Sequence, residues 1–259
     1  MMKANKTAKL TTPPIHNPLD AQLASLKLRY LSEHYETIAK EAAALQWSHV
    51  EFLARLIEGE VHRREDLATQ RRVSLARFPV LKTLDQFDWS WPKKINRPQI
   101  QNLFRLSFIE EKANVIFLAN VGLGKTHLSI ALGHAACLRG YSVLFTTAVE
   151  IINTLTAAQA HGALKRELKK YIKPRLLLID ELGYLPIDKQ GADLLFQVIS
   201  QRYECGAIII TSNRAYKRWP ELFNNDSTLT SALLDRLLHH AETALIDGKS
   251  YRMKDQIDG

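Results

Sequence analysis

From residue 113 onward, short apolar runs alternate with helical stretches, and this alternation leaves few folds open. Strands are expected near 115–119 (VIFLA), 142–147 (SVLFTT), 175–180 (RLLLID), 206–212 (GAIIITS) and 243–247 (TALID). Helices are expected near 125–139, 148–159, 162–172, 190–204 and 230–240. A parallel neighbour is reached only through a crossover, so strands separated by helices form a parallel sheet with both faces covered. The expected core is an α/β domain, a five-stranded parallel sheet between helices.

Upstream the pattern changes. Residues 1–18 are polar and basic with a Pro13-Pro14 pair, and they read as a flexible arm. Residues 19–78 read as a small all-helical N-terminal domain, with apolar residues at three- and four-residue spacing and no Pro or Gly from 19 to 46. Ser48 and Glu51 have the spacing of a capping box that starts its last long helix. Residues 79–98 carry three prolines and several aromatics, and they read as a linker packed on the following domain, 99–259. Phe87, Trp89 and Trp91 in this linker could pack between domains or cover a bound base.

The net charge of +8 and pI of about 9.4 favour an anionic partner, nucleic acid above all. No apolar run approaches the ~20 residues of a spanning helix, and the basic N-terminus lacks the apolar stretch of a secretory signal. Cys137 and Cys205 are isolated and have no metal-ligand spacing. A cytoplasmic protein without a membrane partner is expected.

The strongest local signal is Ala119-Asn120-Val121-Gly122-Leu123-Gly124-Lys125-Thr126, placed between an expected strand and an expected helix. That is the context of a Walker A loop. Gly122 and Gly124 free the backbone to aim N–H groups at phosphate oxygens, and the helix opening at Lys125 adds its positive end. Lys125 supplies charge to the outer phosphates and Thr126 a hydroxyl to Mg2+. The candidate ATP-binding residues are these eight and His127. The motif ordinarily begins with Gly, and Ala119 stands there instead. The strand at 175–180 ends in Asp180-Glu181, as a Walker B strand does. Asp180 is the second candidate metal residue, and Glu181 the candidate that orients an attacking water. The bland alternatives are a chance Gly-Lys-Thr turn and a solvated acidic turn, which the strand and helix context argues against.

Asn213, closing the strand at 206–212, and Arg236, on the last helix, complete the candidate catalytic set. If the sheet has the strand order of AAA+ ATPases, Asn213 lies between the two Walker strands and faces the γ-phosphate or the water. Arg236 sits where those proteins carry an arginine that reaches a neighbouring subunit's nucleotide. The alternatives are a strand-closing turn for Asn213 and a local salt bridge, to Asp235 for instance, for Arg236.

GKTHL (124–128), LLLIDELGYLP (176–186), TSNR (211–214), LLDRLLHHA (233–241) and SYR (250–252), together with KTLDQFDW (82–89), closely resemble the IstB-like transposition helper ATPases. These are relatives of the DnaC-type helicase loaders. The resemblance implies an AAA+ fold, Mg-dependent ATP hydrolysis and an ATP-dependent homo-oligomer on double-stranded DNA. It also implies recruitment and stimulation of the partner transposase of an insertion sequence. Ala119-Asn120 departs from the family's Gly-Pro, which bears on turnover more than on binding. Residues 248–259 leave no room for a C-terminal helical lid, and Arg252 could stand in for the arginine such a lid carries.

Two basic stretches are candidates for DNA contact: Arg63, Arg64, Arg71 and Arg72 at the end of the helical domain, and Lys165, Arg166, Lys169 and Lys170 on the helix near 162–172. The second set makes one face of like charge, costly to a helix unless an anion meets it. A solvated surface is the bland reading of either. The competing functions are a replicative helicase loader, a P-loop small-molecule kinase and a nucleotide-dependent adaptor that does not hydrolyse.

Overall fold

The structure is a computed structural model that describes residues 18–253. The arm expected at 1–18 lies, apart from Pro18, outside the described residues. The chain divides into two compact units, one up to Ala68 and one from Thr69 onward, with the boundary inside a helix.

The first unit contains α1 (Pro18–Ser25), α2 (Arg29–Leu45) and most of α3 (His49–Leu75). The pattern from 19 to 46 suggests one helix, yet the chain breaks at Lys27, whose φ is +57. The N–H of Leu28 closes the turn onto the Leu23 carbonyl at 2.9 Å. The break lets Leu23, Leu31 and Leu56 bury against one another in a small apolar cluster. α3 starts at the capping box expected for it: the Glu51 N–H donates to Ser48 Oγ (3.2 Å), and the Ser48 N–H donates to Glu51 Oε2 (2.7 Å).

The second unit is the α/β core. Its elements are β1 (Lys94–Ile95), α4 (Arg97–Leu103), α5 (Ser107–Glu110), β2 (Asn114–Ala119), α6 (Lys125–Leu138), β3 (Val143–Thr147), α7 (Ala148–Ala160), α8 (Leu164–Ile172), β4 (Leu176–Leu182), α9 (Lys189–Arg202), β5 (Ala207–Ser212), α10 (Ser227–Leu238) and β6 (Ala241–Asp247). The sheet order is β1-β6-β2-β5-β4-β3. The five expected strands are mutually parallel. A sixth, β1, adds antiparallel to β6 at the edge and comes from the segment read as linker. Two residues are too few for periodicity to register.

β4 and β5 are apolar almost throughout because both faces are covered. Val115, Phe117, Leu176, Leu178 and Ile209 pack with α6 and with Ile100 and Ile109 from α4 and α5. Ile116, Leu177, Ile179, Ile208 and Ile210 pack on the other side with α7, α9 and α10. Side-chain oxygens of Asn96, Thr147, Asp188 and Asp226 accept backbone N–H bonds at the starts of α4, α7, α9 and α10.

At the amino end of the sheet sits a residue that no local pattern singles out. Arg202, at the end of α9, is 1% exposed. Its guanidinium donates to the carbonyls of Tyr171, Ile172, Pro174, Arg175 and Ala207. It ties the end of α8 to the starts of β4 and β5. Burial pulls its pKa down to about 10, so it stays charged at neutral pH. Among the described residues no helix is long and apolar enough to cross a membrane. After β6 they contain only the 3-10 turn Tyr251–Met253.

Candidate nucleotide site

β5 lies between β2 and β4, so the ends of these three strands open side by side at the carboxyl edge of the sheet. Ligands of open α/β sheets bind at this edge. A cavity of about 480 Å³ lies here, within the second unit. Residues 121–127, Glu181, Thr211 and Asn213 line it.

The loop between β2 and α6 is built for close approach. Gly122 and Gly124 have φ of +77 and +81, the left-handed region that glycine enters at no steric cost. A Cβ on Gly124 would lie 2.5 Å from the Phe87 ring, and one on Gly122 would lie 2.1 Å from Ser250 Oγ. Each glycine therefore also admits a side chain from a distant segment, which spacing alone does not reveal. Lys125 bends back over the loop, its Nζ 2.8 Å from the carbonyls of Ala119 and Asn120. Burial lowers its pKa and the charge of Arg252 does the same, while Asp180 and Glu181 oppose the shift.

Asp180, near the end of β4, is 4% exposed, and hydroxyls from the start of α6 and the end of β5 converge on it. Thr126 Oγ1 lies 3.1 and 3.0 Å from its two carboxylate oxygens. The Thr211 hydroxyl donates to the same carboxylate and also accepts the N–H of Glu181 at 3.0 Å. Thr211 thus links β4 to β5 through a buried hydroxyl. The sequence displays it within TSNR, but no spacing rule distinguishes such a bridging hydroxyl from an ordinary strand threonine.

Glu181 has φ of +59, at an irregularity in the β4–β5 register between Ile179 and Leu182. A left-handed non-glycine residue costs on the order of 1–3 kcal/mol and persists where its surroundings hold it. Here the bond from the Glu181 N–H to Thr211 holds it within β4, and Glu181 lines the cavity. Asn213 also lines the cavity, and its Oδ1 is buried with no hydrogen-bond partner among the described residues. An orphan acceptor of this kind fits a site that receives a polar ligand. The Thr126 hydroxyl and Asp180 carboxylate are hard oxygen donors of the sort Mg2+ prefers.

His127 lines the cavity but is tied to the segment before β1. Its Nε2 donates to the Thr83 carbonyl (2.8 Å), and its ring packs edge-on against Phe87 at 5.4 Å. Burial lowers its pKa. Phe87 and Trp91 also line the cavity, Phe87 beside Gly124. The Trp91 indole N–H donates to the Lys249 carbonyl (2.9 Å), and its ring meets Tyr251 edge-on at 5.5 Å. The Tyr251 N–H donates to the Gly122 carbonyl (2.8 Å), so the turn after β6 is fastened to the phosphate loop and brings Arg252 to the cavity.

Arg236 lies outside this cavity. Its guanidinium donates to the Ala232 carbonyl and sits 4.9 Å from the centre of the Phe196 ring. Among the described residues no salt bridge joins it to Asp235. The two basic stretches are used differently. Arg64 is committed to Glu60 (2.8 Å) and the Lys27 carbonyl, and Arg63 lies 3.9 Å from Glu33. Arg72 donates to the Cys137 carbonyl and to Thr69, and Arg71 is exposed. On α8, Leu168 and Tyr171 face inward while Lys165, Arg166, Lys169 and Lys170 are exposed. Glu167 pairs with Lys170 at 2.5 Å and with Arg166 at 3.9 Å.

Strand order, phosphate loop and the carboxylate beside it define a P-loop protein of the AAA+ class. Solved structures agree on the fold: the DnaI structure superposes with a TM-score of 0.57 at 20% identity, covering 70% of this chain and 98% of that one. The DnaC helicase loader superposes with a TM-score of 0.52 at 22% identity, covering 64% and 96%. The profile of the IstB-like ATP binding protein family matches residues 21–259. The ATP-binding protein named for insertion sequence IS5376 of Geobacillus stearothermophilus is 40% identical over 89% of this chain and 92% of its own length. The one named for IS21 of Pseudomonas aeruginosa is 40% identical over 92% and 89%. The chain belongs to the IstB-like ATP-binding protein family.

Proposed function

We propose that the protein is an Mg-dependent ATPase that assembles as an oligomer on duplex DNA and recruits and stimulates the transposase of its insertion sequence. The observation that carries the reading is the meeting of Thr126, Asp180 and Thr211 beside the Lys125 loop, at the switch point of the sheet. Relatives named as ATP-binding proteins of insertion sequences supply the biological context.

In this reading Lys125 exchanges the Ala119 and Asn120 carbonyls for phosphate oxygens. Both partners are anionic or partly so, which keeps the cost of the exchange low. Thr126 and Asp180 would hold Mg2+, which would neutralise phosphate charge and favour attack at the γ-phosphorus. Glu181 orients the water that forms the new P–O bond as the bond to the ADP oxygen breaks. Asn213 offers its free Oδ1 to that water, and Arg252 supplies a second cation at the loop. Phe87 and Trp91 receive the base. Arg236, remote from its own cavity, acts on the nucleotide of a neighbouring subunit.

The exposed face of α8 is the surface for DNA. Its contacts are with phosphates, sequence-independent and salt-sensitive. Arg64 and Arg72, held by internal bonds, serve the fold instead.

The test is phosphate release with and without duplex DNA, combined with negative-stain imaging in ATP. The proposal expects DNA-stimulated release and DNA-bound assemblies that need ATP. Arg236→Ala should bind ATP and lose turnover. Full turnover by a monomer without DNA would overturn the shared-site reading. Capture of a hexameric helicase instead of a transposase in a pull-down would favour a helicase loader.

A further inference from the structure

Outside the nucleotide cavity, three side chains of metal-ligating type converge where α9 and α10 end. Glu204, His239 and His240 offer donor atoms that all lie within 4.8 Å of one another. Two backbone features bring them together. Glu204 sits in a left-handed turn, φ +55, just after α9. His239 closes α10, its N–H bonded to the Asp235 carbonyl at 3.1 Å, and His240 follows before β6 begins. The two imidazoles are 4.0 Å apart between ring centres.

Adjacent exposed histidines are ordinarily solvated, and three features distinguish this pair. The first is the chemistry of the set: two imidazoles and a carboxylate, donors suited to Zn2+ more than to Mg2+ or Ca2+. The second is orientation. His239 Nδ1 lies 2.8 Å from the Tyr203 hydroxyl. With Nδ1–H donating to the phenol oxygen, Nε2 keeps a lone pair for a metal, and the ring is held by an outer partner as ligating histidines commonly are. The third is field: the C-terminal end of α10 carries partial negative charge and favours a cation.

We infer that Glu204, His239 and His240 bind one divalent transition-metal ion of the Zn2+ class, with Tyr203 positioning His239. The fourth coordination place is left for water or for a ligand from a second chain. Lys112, Arg202 and Arg236 line the small cleft shared with Glu204 and His240 and set an upper limit to the affinity, while Asp235 one turn back on α10 opposes them.

The test is Zn2+ titration of the full chain by calorimetry without nucleotide, with Co2+ absorption to report the coordination geometry. The expected result is one ion per chain, unaffected by excess Mg2+, with the intense ligand-field bands of tetrahedral Co2+. Glu204→Gln and His240→Ala should each weaken uptake at least tenfold. Tyr203→Phe should weaken it less. Cys205→Ser, which removes the exposed thiol one residue on, should leave it intact. The inference is overturned if a folded His239→Ala/His240→Ala double variant takes up Zn2+ like the wild type, if Cys205→Ser abolishes uptake, or if no ion binds at micromolar concentration. None of these readouts depends on ATP, so their failure leaves the ATPase reading standing.

Discussion

The two ends of the central sheet each hold a cation drawn out of water, and they treat it differently. At the amino end Arg202 is 1% exposed and donates to five carbonyls. At the carboxyl end Lys125 is half-buried at the edge of a 480 Å³ cavity and rests on two carbonyls of its own loop. The first is a joint, since each of its five acceptors is a backbone carbonyl of the frame and only its Nε is left without a partner. The second is a reserve, since its partners are local and replaceable and unmatched polar groups such as Asn213 surround it. A buried charge is therefore no guide to a site until its partners are counted.

Substitutions can break or sharpen that contrast. The largest effect is expected at the joint. Arg202→Met leaves buried carbonyls without donors and should cost about 3–5 kcal/mol of stability. Chemical denaturation would show it, and a loss below about 1 kcal/mol would dissolve the distinction. At the crevice Glu181→Gln should keep ATP binding and lower turnover on the order of 100-fold, about 3 kcal/mol of barrier, in single-turnover phosphate release. Lys125→Ala should weaken ATP about ten- to a hundredfold while changing stability by less than about 1 kcal/mol. A destabilisation comparable to that of Arg202→Met would make Lys125 a structural cation as well. Replacing Lys165, Arg166, Lys169 and Lys170 by Ala should flatten the salt dependence of DNA affinity by up to about four units of slope. Unchanged slopes in a filter-binding series would remove α8 from the interface.

The same contrast explains what the sequence discloses. The crevice was legible because its parts lie on continuous segments: GKT after one apolar run and DE at the end of another. The alternation gave the strands but not their order, which was expected only if the sheet followed the AAA+ arrangement, and β5 does lie between the Walker strands. The joint was not legible. Arg202 sits in an ordinary helix end, and its partners lie 5 to 31 residues away, joined only by the fold. The break at Lys27 was hidden because no Gly or Pro marks it. β1 was hidden by its length. The fastening of Tyr251 to Gly122 and of Phe87 beside Gly124 depends on residues far apart in the chain, for which motif spacing has no language. Among the basic residues, charge counting could not separate Arg64 and Arg72, which bond to their own unit's frame, from Lys165 and Lys169 on α8, which have no ion pair among the described residues.

The central claim is that Thr126 and Asp180 receive the metal of a triphosphate held by the Lys125 loop. The most direct measurement is ATP affinity with and without Mg2+, by fluorescence titration, in wild type and in Asp180→Asn. The account predicts that Mg2+ tightens ATP binding to the wild type and that Asp180→Asn, folded and still able to bind nucleotide, loses most of that gain. An Asp180→Asn protein whose affinity responds to Mg2+ as fully as the wild type would contradict it.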